Sequence, residues 1–159
     1  MNTMTASRIR FTPTEVRMLL FHGGHNAVTH PNSGGLFCST NPEVALSHGP
    51  VVSEFELRGD EMLSHYQLNY EIDALDIATI RSTLESELGA GADIDAAWEI
   101  VVGSRGCEGA EDNIKMFRAE DRAEAGWEAQ RIRGRVAAAL GYRAIEMLDE
   151  HGTTWLVVS

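Results

Sequence analysis

Mostly apolar runs near both ends of the chain, and a period of two in hydrophobicity at residues 51–57, predict β-strands. Within residues 51–57, Phe55 and Leu57 alternate with Glu54 and Glu56, which is typical of a half-buried strand. Mostly apolar runs and β-branched residues predict the other strands, and the last two are separated by a turn at residues 149–152. The predicted strands cover residues 16–22, 36–40, 51–57, 143–148 and 153–158.

Apolar residues at helical spacing fill the middle of the chain and predict helices. Asn41 and Pro42 predict the start of a short helix that ends at Gly49. Asp73 is predicted to cap a helix that reaches Leu88, and Asp93 a helix that reaches Val101. The longest predicted helix spans about residues 120–140 and ends at Gly141, where a left-handed terminator belongs. Its predicted inward stripe consists of Trp127, the stem of Arg131, Ile132, Val136 and Leu140.

The order of elements predicts one α+β domain over residues 1–159, in which strands at the chain ends enclose a helical middle section. Residues 1–16 are predicted to be an irregular leader. No apolar run reaches the length that crosses a bilayer, and the first residues lack the apolar segment of a secretory signal. Two cysteines form neither a disulfide framework nor a CxxC pair, so we expect a reducing cytosol.

The net charge of the chain limits the classes of molecule that it can bind. The chain has 13 basic and 24 acidic residues, a formal net charge of −11. Neutralising phosphates requires a basic face, so direct nucleic-acid binding and docking on an anionic membrane are both disfavoured. The acidity is compatible with simple solubility, and equally with docking on a basic protein surface, including mimicry of nucleic acid.

Three places in the sequence carry candidate chemistry. His22-Gly23 follows an apolar run, where the imidazole can hydrogen-bond a sugar hydroxyl and the glycine lets a flat ligand approach the backbone. Phe37 follows a glycine pair and can stack on an aromatic ligand. Asp149 and Glu150, at the predicted hairpin, can hold a carboxylate against a ribose hydroxyl. Taken singly, each also has a structural interpretation: a histidine at a strand edge, a core phenylalanine and a solvated turn.

Other catalytic or binding motifs are weak or missing. The histidines do not follow a zinc-ligand spacing, so no metal is expected. The sequence contains no Walker loop, GxGxxG or GxSxG. Cys38 is close in sequence to several histidines, but a cysteine within an apolar strand is more often inert packing than a nucleophile.

In this order along the chain, the three places resemble the motifs of the ADP-ribosyltransferases. Residues 20–23, Leu-Phe-His-Gly, resemble the first motif of the histidine-type branch, which includes the poly(ADP-ribose) polymerases and the diphtheria-toxin group. Residues 35–39, Gly-Leu-Phe-Cys-Ser, resemble the second motif. The C-terminal residues, with Trp127-Glu128-Ala129-Gln130, Leu140-Gly141-Tyr142-Arg143 and the run 147–153, resemble a small phage-encoded anti-CRISPR family. That family ADP-ribosylates the large subunit of the type I-F CRISPR surveillance complex.

The resemblance implies an ADP-ribosyltransferase-like split β-sheet core, NAD as ADP-ribose donor and nicotinamide as leaving group. It implies that His22 holds the adenosine-side ribose, that the Gly23 backbone binds the nicotinamide amide and that Phe37 stacks on the nicotinamide ring. Ser39 falls in the same motif and is assigned to NAD binding. Asp149 is the implied catalytic acid, with Glu150 as the alternative, since adjacent strand residues face opposite ways. Phe37 departs from the tyrosine frequent in the wider superfamily, and Asp149 from its glutamate.

The sequence and the resemblance therefore predict a cytoplasmic, NAD-dependent mono-ADP-ribosyltransferase that acts on a bacterial protein, and the resemblance implies an anti-CRISPR role. Two alternatives remain open at this stage. One is an NAD glycohydrolase or ADP-ribosylating toxin of the same fold, and the other is a non-enzymatic acidic inhibitor that mimics nucleic acid. A charge mimic would have no need of His22, Phe37 and Asp149, which distinguishes it from both enzymes.

Overall fold

The computed structural model describes residues 16–25, 35–103, 107–149 and 152–158, with backbone only at Asp149, Gly152 and Thr153. These residues form six strands, five α-helices and three short 3₁₀ turns, at 59–61, 72–74 and 110–112. The predicted leader and Glu150 lie outside the described residues, apart from Val16. The elements are β1 (Arg17–Gly24), β2 (Leu36–Cys38), α1 (Pro42–His48), β3 (Val51–Arg58), β4 (Met62–Leu63), α2 (His65–Tyr70), α3 (Ile77–Leu88), α4 (Ile94–Val101), α5 (Arg122–Ala139), β5 (Ala144–Asp149) and β6 (Gly152–Val157).

The strands of the described residues form two sheets. β1 and β3 pair antiparallel along their whole length, from Arg17 opposite Arg58 to Gly24 opposite Val51. The second sheet has the order β2-β6-β5-β4, with β4 parallel to β5 and the other pairs antiparallel. A single bridge joins β1 to the end of β2, where Phe21 and Ser39 exchange two backbone hydrogen bonds of 2.8 Å. This mixed architecture with a split sheet agrees with the predicted fold class.

The four-stranded sheet contributes to two buried clusters, one shared with the two-stranded sheet and one shared with helices that follow β4. Ala144 and Val157, on one face, belong to a buried cluster with Leu20 of β1 and Leu57 of β3. Ile145 and its neighbours on the other face belong to a second cluster with helical residues. Because side chains alternate along a strand, each strand of the central hairpin contributes to both clusters. The helical members of the second cluster include Ile80, Leu84, Ala97, Val101, Ala129, Ile132 and Val136.

Polar residues at the helix starts explain where the helices begin. Asn41 accepts a hydrogen bond from the Glu43 amide and caps α1, and Asp93 caps α4 through the Ala96 amide, as predicted. The predicted cap of α3 was wrong: Asp76, not Asp73, accepts from the helix, through the Thr79 amide. Asp73 instead lies in the 3₁₀ turn at 72–74, because the chain makes a separate turn before the helix starts.

Three further details correct the sequence expectations. β1 continues past His22 to Gly24, so the His22-Gly23 pair lies within the strand rather than at its end. β4 and α2 were not predicted, since their two and six residues are too short for a period to be recognised. Trp127 was predicted on the inward stripe of α5 but is 60% exposed. Arg133, which was not predicted on that stripe, is buried on the same helix and is 1% exposed.

Candidate functional site

His22 is attached to β2 by its side chain. Its Nδ1 lies 2.8 Å from the carbonyl oxygen of Phe37. Since a carbonyl only accepts, Nδ1 donates and carries the proton in the neutral ring. Nε2 is then the acceptor nitrogen, which suits a hydroxyl group as donor. The first predicted motif is therefore connected directly to the second.

Gly23 is required by the packing of α1 against β1. A Cβ built on Gly23 would lie 1.6 Å from the carbonyl oxygen of Ala45, far inside van der Waals contact. That oxygen belongs to the backbone, so the contact cannot be relieved by a side-chain rotation. Gly23 thus allows the close approach of α1, the helix that immediately follows the second motif. This packing role exists beside the predicted NAD-binding role and is independent of it.

Phe37 lies where β2, β6 and α5 meet. It pairs with Leu156 of β6, is partly buried and packs against the helix-side cluster. Its ring also meets that of Trp127 edge to face, with centroids 5.7 Å apart and an interplanar angle of 78°. The core interpretation of Phe37 is therefore partly correct, while the residue as a whole is only partly buried.

Ser39 organises the turn from β2 into α1. Its backbone forms the bridge to Phe21, and its Oγ accepts a hydrogen bond of 3.0 Å from the Asn41 amide. Asn41 in turn caps α1. His22, Gly23, Phe37 and Ser39 are therefore brought together by one strand junction, although the chain between residues 25 and 35 separates them in sequence.

Asp149 is the last residue of β5, and its backbone pairs with Gly152. Phe37 pairs with Leu156, and Leu156 with Ile145, so those three residues form one row across the sheet. Asp149 lies four residues beyond Ile145, a distance of about 13 Å along an extended strand. The strand register alone thus does not place the backbone of Asp149 beside Phe37, and its catalytic role stays a prediction, as does that of Glu150.

A buried arginine, which was not among the predicted functional residues, fixes the strand that ends at Asp149. Arg133 Nη1 donates to the carbonyl oxygen of Val101 at 2.7 Å. Its Nε and Nη2 donate to the carbonyl oxygen of Glu146 at 3.3 and 3.1 Å. Nη2 also lies 3.3 Å from Nδ1 of His65. The sequence does indicate that Arg133 is buried, since it lies between Ile132 and Val136 on the apolar side of α5.

His65 and Glu146 complete this network. The carboxylate of Glu146 accepts from the His65 amide at 2.8 Å, at the start of α2. Burial lowers the pKa of His65 below its usual value of 6.5, and the Arg133 guanidinium lowers it further, while Glu146 acts in the opposite direction. A neutral His65 is consistent with Nδ1 accepting from Arg133.

Other candidate chemistry receives less support. Cys38 is buried, and burial raises the pKa of its thiol to about 12, which disfavours a thiolate nucleophile. Among the described residues, no group of three or more His, Cys, Asp or Glu could hold a metal ion. A cavity of about 350 Å³ lies on the helical side, away from both strand motifs. It is lined by Leu88, Ala90, Gly91, Ala92, Asp93, Lys115, Met116 and Arg118.

The split sheet, with a histidine-glycine pair on β1 and an aromatic residue on β2, agrees with the class that the sequence resemblance implies, the ADP-ribosyltransferases. The model of one protein family, described as anti-CRISPR type I-F ADP-ribosyltransferase AcrIF11, matches residues 18–159. The chain therefore belongs to this family, and it is an ADP-ribosyltransferase whose substrate is NAD.

A solved structure agrees with this assignment. A crystal structure described as that of an anti-CRISPR protein is 34% identical in sequence and superposes with a TM-score of 0.65. The match covers 91% of this chain and 92% of the other. No curated protein matches the chain. Family membership implies a CRISPR-related bacterial protein as target. In the part of the chain that the structure describes, no helix is long and apolar enough to cross a membrane.

Proposed function

We propose that the chain, acting as a single domain in the cytosol of a bacterial host, transfers ADP-ribose from NAD to the large subunit of a type I-F CRISPR surveillance complex. The observation that carries the assignment of the site is the hydrogen bond from His22 to the Phe37 carbonyl oxygen. It joins the two motifs that distinguish an NAD-dependent enzyme from a protein that acts by charge alone.

In the proposed reaction, the bond between the nicotinamide nitrogen and C1′ of its ribose breaks, and nicotinamide leaves as a neutral molecule. C1′ then bonds to a nucleophile of the acceptor protein, which loses a proton. The ribose passes through an oxocarbenium-like state, and a carboxylate held against its hydroxyl stabilises the positive charge. Asp149 is proposed to supply that carboxylate, His22 and Ser39 to hold NAD, and Phe37 with the Gly23 backbone to hold the nicotinamide.

The nucleophile on the acceptor distinguishes this proposal from a glycohydrolase of the same fold, in which water attacks C1′. A glycohydrolase releases nicotinamide without any protein present. An acidic inhibitor differs again, because it would block the surveillance complex in the absence of NAD. The net charge of −11 suits docking on a nucleic-acid-binding complex in either case, so charge does not separate these functions.

The test uses two samples of NAD, one labelled in a phosphate and one in the nicotinamide ring. Each is incubated with the protein, with and without a purified type I-F complex. We expect phosphate label on the large subunit, and nicotinamide released in equal amount only when the complex is present. Release without the complex would favour the glycohydrolase. Loss of target-DNA binding without NAD would favour the charge mimic.

A further inference from the structure

Trp127 is an exposed tryptophan in contact with a predicted NAD-binding residue. It lies on α5 two residues from Ala125 and from Ala129, which are both buried. Two residues correspond to about 200° around an α-helix, so Trp127 points away from the main buried stripe. Most of its surface is open, and the contact that the structure records for its ring is with Phe37. Folding alone gives little reason for a large aromatic residue at this position.

The two rings meet nearly at right angles and form an aromatic corner, defined here as Phe37 and Trp127. A flat ring that stacks on one of them presents its edge to the other, and both arrangements are favourable for aromatic groups. At Gly126, beside Trp127, nothing lies within 4 Å of the position of a Cβ, so the described residues leave space next to the corner.

The positive charge of the nicotinamide ring in NAD⁺ provides a reason for an aromatic corner at this position. The nicotinamide ring of NAD⁺ is a pyridinium cation, whereas the same ring is neutral in NADH and in free nicotinamide. A cation within about 6 Å of an aromatic face is attracted to it, and tryptophan is the strongest such partner. A ring centroid 5.7 Å from that of Phe37 is close enough for both side chains to touch one nicotinamide.

We propose that Trp127 is a specificity-determining residue, which binds the cationic nicotinamide ring together with Phe37 and selects NAD⁺ over NADH. The inference rests on the proposed function, since it assumes that nicotinamide binds at Phe37. The corner also favours release of the product: once the glycosidic bond breaks, the nicotinamide is neutral and loses the cation–π attraction.

The experiment measures the affinity of a carbocyclic NAD⁺ analogue, which cannot lose nicotinamide, and of its reduced, uncharged form by calorimetry. Trp127→Leu should weaken binding of the cationic analogue by about tenfold and change binding of the reduced form less than twofold. Trp127→Phe keeps a weaker π face. Its affinity for the cationic analogue should therefore lie between those of the unaltered protein and Trp127→Leu. Tyr66→Leu is the matched control, because Tyr66 is also 60% exposed on a helix and has no contact with the site in the described residues.

The outcomes distinguish a failure of the proposed role of Trp127 from a failure of the proposed function. Equal weakening of both analogues in Trp127→Leu, or no weakening of either, overturns the role of Trp127 while the proposed function stands. No binding of either analogue to the unaltered protein overturns the proposed function and this inference with it. Thermal unfolding of every variant checks that the fold is intact, and Trp127→Phe decides the question if Trp127→Leu does not fold.

Discussion

At the scale of single residues, the candidate site depends on positions where one atom decides the packing. Gly23 has no room for a Cβ because the backbone of α1 passes over it, and His22 is oriented by a backbone carbonyl. Both constraints come from neighbouring elements rather than from the residues next in sequence. Substitutions at such positions test the structure and the chemistry separately.

Gly23→Ala should destabilise the protein by about 1–3 kcal/mol, because the new Cβ forces the backbone of α1 away from β1. Thermal unfolding measures the loss. Gly126→Ala is the control, since nothing lies within 4 Å of a Cβ there and alanine favours a helix by about 0.5–1 kcal/mol. A wild-type melting temperature for Gly23→Ala would contradict the close approach of α1.

Asp149→Asn should reduce the rate of ADP-ribose transfer by about 10²–10³, the usual effect of losing one electrostatic stabiliser of a transition state. NAD affinity should be nearly unchanged, because the carboxylate acts mainly on the transition state. Transfer kinetics and NAD binding are measured for this variant and for Glu150→Gln, which should lose much less. Full activity of Asp149→Asn beside an inactive Glu150→Gln would move the catalytic role to Glu150.

At the scale of elements, one buried arginine connects three parts of the fold. Arg133 joins α5 to the end of α4 through Val101 and to β5 through Glu146, three residues before Asp149. A guanidinium is suited to this because its fork donates to several acceptors at once. The strand that ends at the predicted catalytic acid is therefore fixed by a helix side chain as well as by its neighbouring strands.

Arg133→Met should lower the free energy of unfolding by about 2–5 kcal/mol, since it removes these donors from the buried carbonyl oxygen of Val101 and the partly buried one of Glu146. Chemical denaturation measures the change. Arg122→Met on the same helix is the control, because Arg122 is exposed and its ion pairs with Asp112 and Glu111 should each contribute less than about 1 kcal/mol. Equal effects of the two substitutions would refute the role of Arg133.

The same network predicts a dependence of stability on pH. The pKa of His65 lies below 6.5 in the folded protein, mainly because of burial, so the unfolded chain binds a proton first as the pH falls. The free energy of unfolding should therefore decrease as the pH falls below about 6.5 and level off below the folded pKa. His65→Gln should flatten this part of the profile, as measured by denaturation at several pH values.

The free energy of unfolding should decrease a second time at lower pH. This second decrease should also be observed in His65→Gln. The pKa values of Glu61 and Asp76 are lowered mainly by hydrogen bonds from backbone amides of Arg58 and Thr79. Their contribution is present above the usual values of 4.5 and 3.8 and is lost as the pH falls through the folded values. If His65→Gln leaves the profile near pH 6 unchanged, another group titrates there.

At the scale of the whole molecule, the dominant property is the net charge of −11. The electric field of this charge repels nucleic acid and accelerates association with a basic surface. A protein that binds target DNA must have such a surface. For the acceptor proposed above, we expect the charge to affect recognition of the acceptor protein, and the residues of the candidate site to affect the binding of NAD. The two contributions can be separated by ionic strength.

Raising the salt concentration should increase the KM for the acceptor complex several-fold, because the Debye length falls to about 8 Å at physiological ionic strength and shortens further above it. The maximal rate at saturating complex should change much less. Transfer of labelled ADP-ribose at several salt concentrations measures both. A KM for the acceptor that is independent of salt would show that charge has no part in docking.

The sequence by itself determined the features that depend on residues close along the chain. The alternation of residues 51–57 identified β3, and the caps Asn41 and Asp93 identified the starts of α1 and α4, because period and capping are local properties. The motif around His22-Gly23 was recognisable for the same reason.

Only the tertiary structure decided how distant segments meet. Phe37 pairs with Leu156, more than a hundred residues away, and no local pattern encodes that register. The exposure of Trp127 and the burial of Arg133 reverse the order expected from hydrophobicity, and both follow from the elements packed around α5. A side chain's surroundings are set by which elements pack against it, and that packing is a property of the whole chain rather than of any short segment.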